Sequence, residues 1–118
     1  MKISAIRIPC EDLEQAQDFY ADVVGWKKLF GSSRDGYIGF ELGEAIVLME
    51  PAEPGEFETG RYLGFSVAVS NIATFYAEAQ ARGLVFTGPP ATQTWGGLMT
   101  HAQDPSGNTF SIVEDTGR

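Results

Sequence analysis

The apolar residues of this chain follow two patterns, a short alternation typical of strands and a three-to-four-residue spacing typical of helices. The first half opens with an apolar, strand-like run at residues 3–10. A helical stretch follows, which Asp12 can cap and Gly25 can end in a left-handed conformation. Three strand-like runs then complete a βαβββ order, at residues 26–31, 37–42 and 45–50.

The same order of elements returns in the second half. Residues 63–69 predict a strand, Asn71 caps a second helix, and Gly83 ends it. Between the halves, residues 51–61 are rich in proline, glycine and glutamate, which indicates a linker. We therefore predict an α+β fold in which one domain, residues 1–118, contains two βαβββ modules. The remaining boundaries are strand-like runs at 84–87, 98–103 and 109–114, and modules of approximately 1–50 and 62–118.

Composition and charge narrow the class of protein. The chain has 118 residues, 43% hydrophobic and 20% charged, as expected for an ordinary globular domain. Its net charge of −8 argues against binding to nucleic acid or to an anionic membrane surface. No apolar run is long enough to span a membrane, and the N-terminus lacks the apolar core of a signal peptide, so we expect a cytoplasmic protein. Cys10 is the single cysteine, either a small buried residue or a reactive thiol.

Three segments carry a resemblance to a known family. They are PCEDLEQAQDFYADVVGW, LGFSVAVSNIATFYAEAQARG and WGGLMTHAQDPSGNTFSIVE, which begin at Pro9, Leu63 and Trp95. On these segments the chain resembles the vicinal oxygen chelate superfamily, which groups glyoxalases, extradiol dioxygenases and bleomycin-resistance proteins. The resemblance implies that the two modules curl a mixed sheet into a cup around a small-molecule ligand, and that the cup is completed in a homodimer.

Metal-dependent members of that superfamily hold a divalent ion with His and Glu side chains from the first and last strands of each half. Strand alternation predicts which residues here take the matching places on the inner face of the cup. None of them is a competent metal ligand. The resemblance therefore implies a metal-free branch of the bleomycin-resistance kind, with no cofactor. The four positions are Ala5, Val47, Gly64 and Ser111.

The same alternation predicts which other side chains line the cup. In the last strand Phe110 and Ile112 suit the core, which turns Ser111 inward. In the fourth strand we assign Ile46 and Leu48 to the core, so that Val47 and Met49 point inward. Small and apolar walls with a few polar groups are typical of small-molecule sites. The predicted ligand-binding residues are Arg7, Met49, Ser66, Trp95, Met99, His101 and Ser111.

Several of these residues have two interpretations. Arg7 either pairs with a glutamate such as Glu114 or meets an anionic ligand group. His101 is either a proton shuttle or a hydrogen-bonded structural residue, and Trp95 contacts either the ligand or the dimer seam. The linker is either a solvated connection or an acidic, aromatic cover for a flat cation. The acidic and aromatic residues concerned lie in the linker or directly next to it, and they are Glu50, Glu53, Glu56, Phe57, Glu58 and Tyr62.

Two main functional hypotheses follow. In the first, the protein is not an enzyme and sequesters a cationic or aromatic small molecule. In the second, it is a metal-dependent lyase, isomerase or dioxygenase of the same superfamily, or a metal-free enzyme with His101 as base and Arg7 as oxyanion stabiliser. An interaction module with an empty cup is a third possibility.

Overall fold

A computed structural model describes residues 1–115 of the chain, which form two units. The N-terminal unit is Met1–Gly60, and the C-terminal unit begins at Arg61. Each unit contains one mixed sheet and one helical segment, so the predicted α+β class is confirmed. No helix within residues 1–115 is both long and apolar enough to cross a membrane.

The N-terminal unit has the predicted βαβββ order. Its sheet has the strand order β1-β4-β3-β2, with β1 and β4 parallel and the other neighbours antiparallel. Helix α1 is continued by a π-helical segment and packs against β2, β3 and β4. The elements are β1 (Ile6–Cys10), α1 (Leu13–Asp18), the π-helical segment (Phe19–Val24), β2 (Lys27–Ser32), β3 (Tyr37–Leu42) and β4 (Ala45–Pro51).

The first helix begins and ends where the sequence predicts. The Asp12 carboxylate accepts a hydrogen bond from the backbone N–H of Gln15 at 3.0 Å, which satisfies one of the free donors of the first turn. Gly25 ends the helical segment with a φ of 96°, and its N–H donates to the Tyr20 carbonyl at 3.1 Å. That wide, five-residue spacing belongs to the π-helical segment, which hydrophobic spacing alone did not predict.

The core of the N-terminal unit corrects one prediction. Val47 and Met49 of β4 are completely buried, on the face where the Tyr20 ring of the helical segment approaches Phe40. They therefore lie in the helix-covered core and not on the opposite face, as alternation in β4 had suggested. The cause is the pairing of β4 with β1, which places Met49 directly beside the buried Ile8.

The C-terminal unit repeats the order with one added strand. Its main sheet has the strand order β5-β9-β8-β6, with β7 also paired to β8. The two-residue strand β7 was not predicted. Strands β5 and β9 are parallel, and α2 packs against β9. The elements are β5 (Tyr62–Val69), α2 (Ile72–Ala81), β6 (Val85–Phe86), β7 (Ala91–Thr92), β8 (Leu98–Gln103) and β9 (Thr109–Glu114).

A hydrogen-bonded turn sets the register of the last two strands. The Asp104 carboxylate accepts from the backbone N–H groups of Ser106 and Asn108, both at 2.9 Å. The side-chain amide of Asn108, itself fully buried, donates to the other oxygen of Asp104 at 3.0 Å. Phe110 and Ile112 then point into the core, as predicted, and leave Ser111 on the other face. The DPSGN turn therefore sets the register of β8 and β9, and with it the face from which Ser111 projects.

Residues 52–60 are part of the N-terminal unit and form an ordered hairpin. Glu53 and Phe57 exchange two backbone hydrogen bonds, at 2.8 and 2.9 Å. Thr59 then donates its hydroxyl hydrogen to Glu11 at 3.1 Å. These bonds hold the acidic segment against the end of β1.

Candidate functional site

The sheet face opposite α2 in the C-terminal unit, here called the open face, carries a row of polar residues. His101 of β8 is paired with Ser111 of β9, which is paired with Ser66 of β5. Paired residues on neighbouring strands project from the same face, so the three side chains form one line across the sheet. The structure thus brings together three of the predicted ligand-binding residues, with the predicted orientation.

An apolar row lies beside the polar one. Met99 of β8 is paired with Val113 of β9, which is paired with Ala68 of β5. Met99 and Val113 are half-buried and Ala68 is exposed. Met99 therefore also has the predicted orientation, and the open face offers apolar area next to a few hydrogen-bonding groups, as small-molecule sites do.

The polar row contains one side-chain hydrogen bond. The Nδ1 atom of His101 lies 2.9 Å from the hydroxyl oxygen of Ser111. The ring of Tyr62 stands edge-on to the imidazole, with 6.1 Å between ring centroids. One ring nitrogen of His101 is thus engaged by Ser111. A hydrogen bond of this kind fits both a structural residue and a proton shuttle, so both interpretations of His101 remain predictions.

Tyr62 was not among the predicted ligand-binding residues. It is 72% exposed and reaches His101 because β5 is irregular between Tyr62 and Ser66, where four residue steps on β5 oppose two on β9. Gly64 lies in this bulge with a φ of 78°, a conformation that favours glycine. A glycine inside an apolar strand pattern is the sequence signal that could have indicated the bulge.

Trp95 lies at the tip of the connection between β7 and β8. Gln93 donates its N–H to the Gly97 carbonyl at 2.8 Å, which closes the turn, and the Trp95 ring lies against the Cα of Gly97. The ring is 60% exposed. An exposed indole at this tip is able to contact a ligand or another chain, so both interpretations of Trp95 remain predictions.

In the N-terminal unit, Arg7 projects from the face opposite α1 and has two contacts. Its Nε donates to Oε1 of Glu50 in an ion pair, and its guanidinium carbon lies 4.8 Å from the centroid of the Phe57 ring. The suggested partner Glu114 is wrong, since that carboxylate accepts from the backbone N–H of Ile72 at 3.2 Å, at the start of α2. Glu50 can reach Arg7 because Arg7 is paired with Leu48 in the parallel β1–β4 ladder, and Glu50 lies two residues further along β4 on the same face.

Two clefts flank the acidic hairpin of the N-terminal unit. One has a volume of about 320 Å³, and its lining includes the Arg7–Glu50 pair and Phe57. The other has a volume of about 520 Å³ and lies beside Cys10. Cys10 is 2% exposed and its Sγ lies 3.6 Å from the Ile8 carbonyl oxygen, which supports the interpretation of a small buried residue. The larger cleft is lined by Cys10, Glu11, Pro51, Ala52, Glu53, Pro54, Glu58 and Thr59.

The side chains at the positions expected for metal ligands do not fit a divalent ion. Val47 lies in the core, Gly64 has no side chain, and the Ser111 hydroxyl is engaged by His101. The β4 residues on the other face include Leu48 and Glu50, and Glu50 is paired with Arg7. Within residues 1–115, no group of three or more His, Cys, Asp or Glu side chains is arranged to hold a metal. The fourth position, Ala5, offers no donor atom.

Comparison with known proteins agrees with this architecture. A family model described as Glyoxalase/Bleomycin resistance protein/Dioxygenase superfamily matches residues 2–112. A crystal structure of a member of that superfamily from Sphaerobacter thermophilus has a TM-score of 0.82 and 29% identity, and the alignment covers 98% of each chain. No curated protein matches the sequence.

Two further structures share the fold at lower identity. An antibiotic binding protein from Streptomyces has a TM-score of 0.81 and 21% identity, with 98% of this chain and 97% of that chain covered. A lactoylglutathione lyase from Agrobacterium tumefaciens has a TM-score of 0.77 and 17% identity, with 96% and 92% covered. A binding protein and an enzyme are therefore both similar in fold.

Proposed function

Because the chain belongs to the glyoxalase/bleomycin resistance protein/dioxygenase superfamily, we propose that it binds and sequesters a small organic molecule without a metal ion. The ligand lies on the open face of the C-terminal sheet. It is aromatic or cationic, and the protein acts as a cytoplasmic homodimer. The homodimer is what the family resemblance implies, and the cytoplasmic location is the expectation drawn from the sequence.

One observation carries this proposal, a row of polar residues that lies beside an apolar row on the open face. His101 and Ser111 supply hydrogen-bonding atoms, Met99 supplies apolar contact, and Tyr62 supplies an exposed aromatic ring. Such a face recognises a ligand by shape, stacking and one or two hydrogen bonds. It has no set of charged donors that would favour a bound cation such as Zn²⁺, in the part of the chain the structure describes.

The charge of the whole chain supports the class of ligand. At a net charge of −8 the protein attracts cations over long range and repels anions. The negative charge does not change the affinity for neutral aromatic compounds, but it increases the affinity for aromatic cations. The expected order of affinity is therefore aromatic cation, neutral aromatic, aromatic anion.

Thermal unfolding in the presence of compounds tests the proposal. We would use aromatic cations, neutral aromatics and aromatic carboxylates of matched size, since a ligand that binds only the folded protein raises the midpoint. Ser111→Ala, Met99→Ala and Tyr62→Ala should each reduce the shift, whereas the exposed Ser33→Ala in the N-terminal unit serves as the matched control. No shift with any compound, or equal shifts in all variants, would contradict the proposal.

Elemental analysis distinguishes a metal-free binding protein from a metal-dependent enzyme. Protein purified without chelator is compared with protein purified in the presence of added Zn²⁺, Ni²⁺, Fe²⁺ or Mn²⁺. Metal at a molar ratio near one to the chain, retained through gel filtration, would favour a lyase, isomerase or dioxygenase over a metal-free binding protein.

A further inference from the structure

A flat cation, the guanidinium group of Arg7, already lies against the Phe57 ring and Glu50 in the lining of a cleft of the N-terminal unit. We propose that this cleft is a binding site for an amidinium or guanidinium group of a ligand, and that Arg7 occupies the ring face and the carboxylate when no ligand is present. The inference uses residues of the N-terminal unit alone and does not rest on the proposed function. The cleft has a volume of about 320 Å³ and is lined by Arg7, Glu50, Pro51, Glu53, Glu56 and Phe57.

The contacts of Arg7 define what the cleft recognises. Its guanidinium carbon lies 4.8 Å from the centre of the Phe57 ring, within the range of a favourable cation–π contact. Its Nε donates to Oε1 of Glu50. A stacking surface next to a carboxylate is the arrangement that a planar, charged donor group fits, because the same group stacks through its face and donates through its edge.

The charge of the lining exceeds what Arg7 neutralises. Three glutamates, Glu50, Glu53 and Glu56, line the cleft with one arginine. Withdrawal of the arginine side chain would leave three carboxylates and an exposed aromatic ring. A ligand cation restores both the charge balance and the stack, whereas a neutral compound of the same shape restores the stack alone.

Arg7 is also easy to displace. Its side chain is 59% exposed, and that of Glu50 is 26% exposed. Ion pairs at such exposure contribute little to stability, and a long arginine side chain regains rotamer freedom when it leaves. A ligand with a rigid cation therefore competes with a weakly held internal group, and its apparent affinity is proportional to the fraction of molecules in which Arg7 has moved away from Glu50 and Phe57.

The volume suits a fragment-sized group. Ligand sites in proteins span about 300–1,000 Å³, and with the Arg7 side chain in place this cleft lies at the small end of that range. Benzamidine, with one ring and one amidinium, is a suitable probe. Benzamide has the same shape without the charge, and benzylamine has a charge without the planar donor group.

The test is an NMR titration of the whole protein with benzamidine, following backbone amides, for the natural chain and for Arg7→Ala. We expect Arg7→Ala to bind benzamidine about tenfold more tightly, because the competing side chain is gone. The largest shifts should occur at the amides of Glu53 and Phe57. Arg34→Ala, which removes an exposed arginine from the β2–β3 turn of the same unit, should leave the affinity unchanged.

Further variants distinguish specific binding of the amidinium group from nonspecific attraction of any cation to the acidic hairpin. In the Arg7→Ala background, Phe57→Leu and Glu50→Gln should each weaken benzamidine binding at least severalfold, and benzamide should bind no variant. Should Arg7→Ala fail to fold, Arg7→Gln provides the same comparison with a longer, uncharged side chain.

The proposal is overturned if benzamidine binds the natural chain and Arg7→Ala equally, or if benzamide binds as well as benzamidine. It is also overturned if the shifts occur at His101 and Ser111 and not at the acidic hairpin. That last outcome would leave the open-face site of the C-terminal unit standing, so the two proposals fail independently.

Discussion

Ile8 of β1 and Met49 of β4 lie directly beside each other across parallel strands, and both side chains are completely buried. This pair decides which face of β4 belongs to the core. Met49 therefore lies in the core, whereas Met99, the other methionine predicted to bind a ligand, lies on the open face of the C-terminal unit.

The two methionines should therefore differ in their effect on stability. Met49→Ala should lower the free energy of unfolding by about 2–5 kcal/mol, since it removes a buried side chain and leaves a cavity. Met99→Ala, at a half-buried site, should lower it by about 1 kcal/mol or less. Urea denaturation of both variants measures the difference. A larger loss for Met99→Ala would mean that the strand faces are assigned wrongly.

Gly31, within β2, and Gly36, in the turn between β2 and β3, allow a matched comparison of two glycine-to-alanine substitutions. Gly31 and Gly36 have nearly the same backbone angle, with φ values of 86° and 87°. A Cβ at Gly31 would collide with the backbone carbonyl of Tyr37, whereas a Cβ at Gly36 would meet open space. Gly36→Ala should cost about 1–2 kcal/mol for the left-handed conformation alone. Gly31→Ala should cost at least about 1 kcal/mol more, because backbone on the partner strand must move.

Chemical denaturation of the two glycine variants gives that difference directly. Equal losses in the free energy of unfolding would contradict the prediction, since they would show that a small shift of the strand relieves the collision at Gly31.

The stability of the protein should depend on the buried side-chain amide of Asn108, which bonds to Asp104 within the turn. Asn108→Ala removes the donor to Asp104 and the acceptor for the Arg61 N–H, at 3.4 Å, and should lower the free energy of unfolding by about 1–3 kcal/mol. Asn108→Asp should cost more, because it places a second carboxylate against Asp104 in a buried site. Equilibrium unfolding at neutral pH checks the order, and a milder effect for Asn108→Asp would contradict the donor role of the amide.

The His101–Ser111 hydrogen bond can be measured with a double-mutant cycle. The variants are His101→Ala, Ser111→Ala and the double variant, and the coupling in the free energy of unfolding should be about 0.5–1.5 kcal/mol. Met99→Ala combined with Ser111→Ala is a suitable control, since Met99 offers Ser111 no comparable donor. Strict additivity for the His101 and Ser111 pair would show that their contact adds nothing to stability.

Much of the fold follows from the sequence because the local signals agree with one another. Asp12 and Asn71 both cap helices through their side chains, at 3.0 Å from the N–H three residues on. Strands 37–42, 98–103 and 109–114 have the predicted bounds. In each of these places turn chemistry and apolar spacing indicate the same boundary.

Local signals could not predict which face of β4 packs into the core. Residues 45–49 read AIVLM, an unbroken apolar run, so alternation gives no preference for either face. Only the pairing of β4 with β1, between segments some forty residues apart, selects Val47 and Met49 for the core. The partner of Arg7 was missed for the same reason, since its contact with Glu50 depends on that long-range pairing.

The hydrogen bond between His101 and Ser111 also determines how the open face presents itself to a ligand. When the serine hydroxyl donates to Nδ1, the imidazole carries its hydrogen on Nε2 and offers a donor. When Nδ1 donates to the serine, Nε2 is bare and offers an acceptor. The exchange of one proton between the ring nitrogens thus lets the same side-chain pair form a hydrogen bond with either a carbonyl or an N–H group, so that one arrangement of residues can accept chemically different ligands.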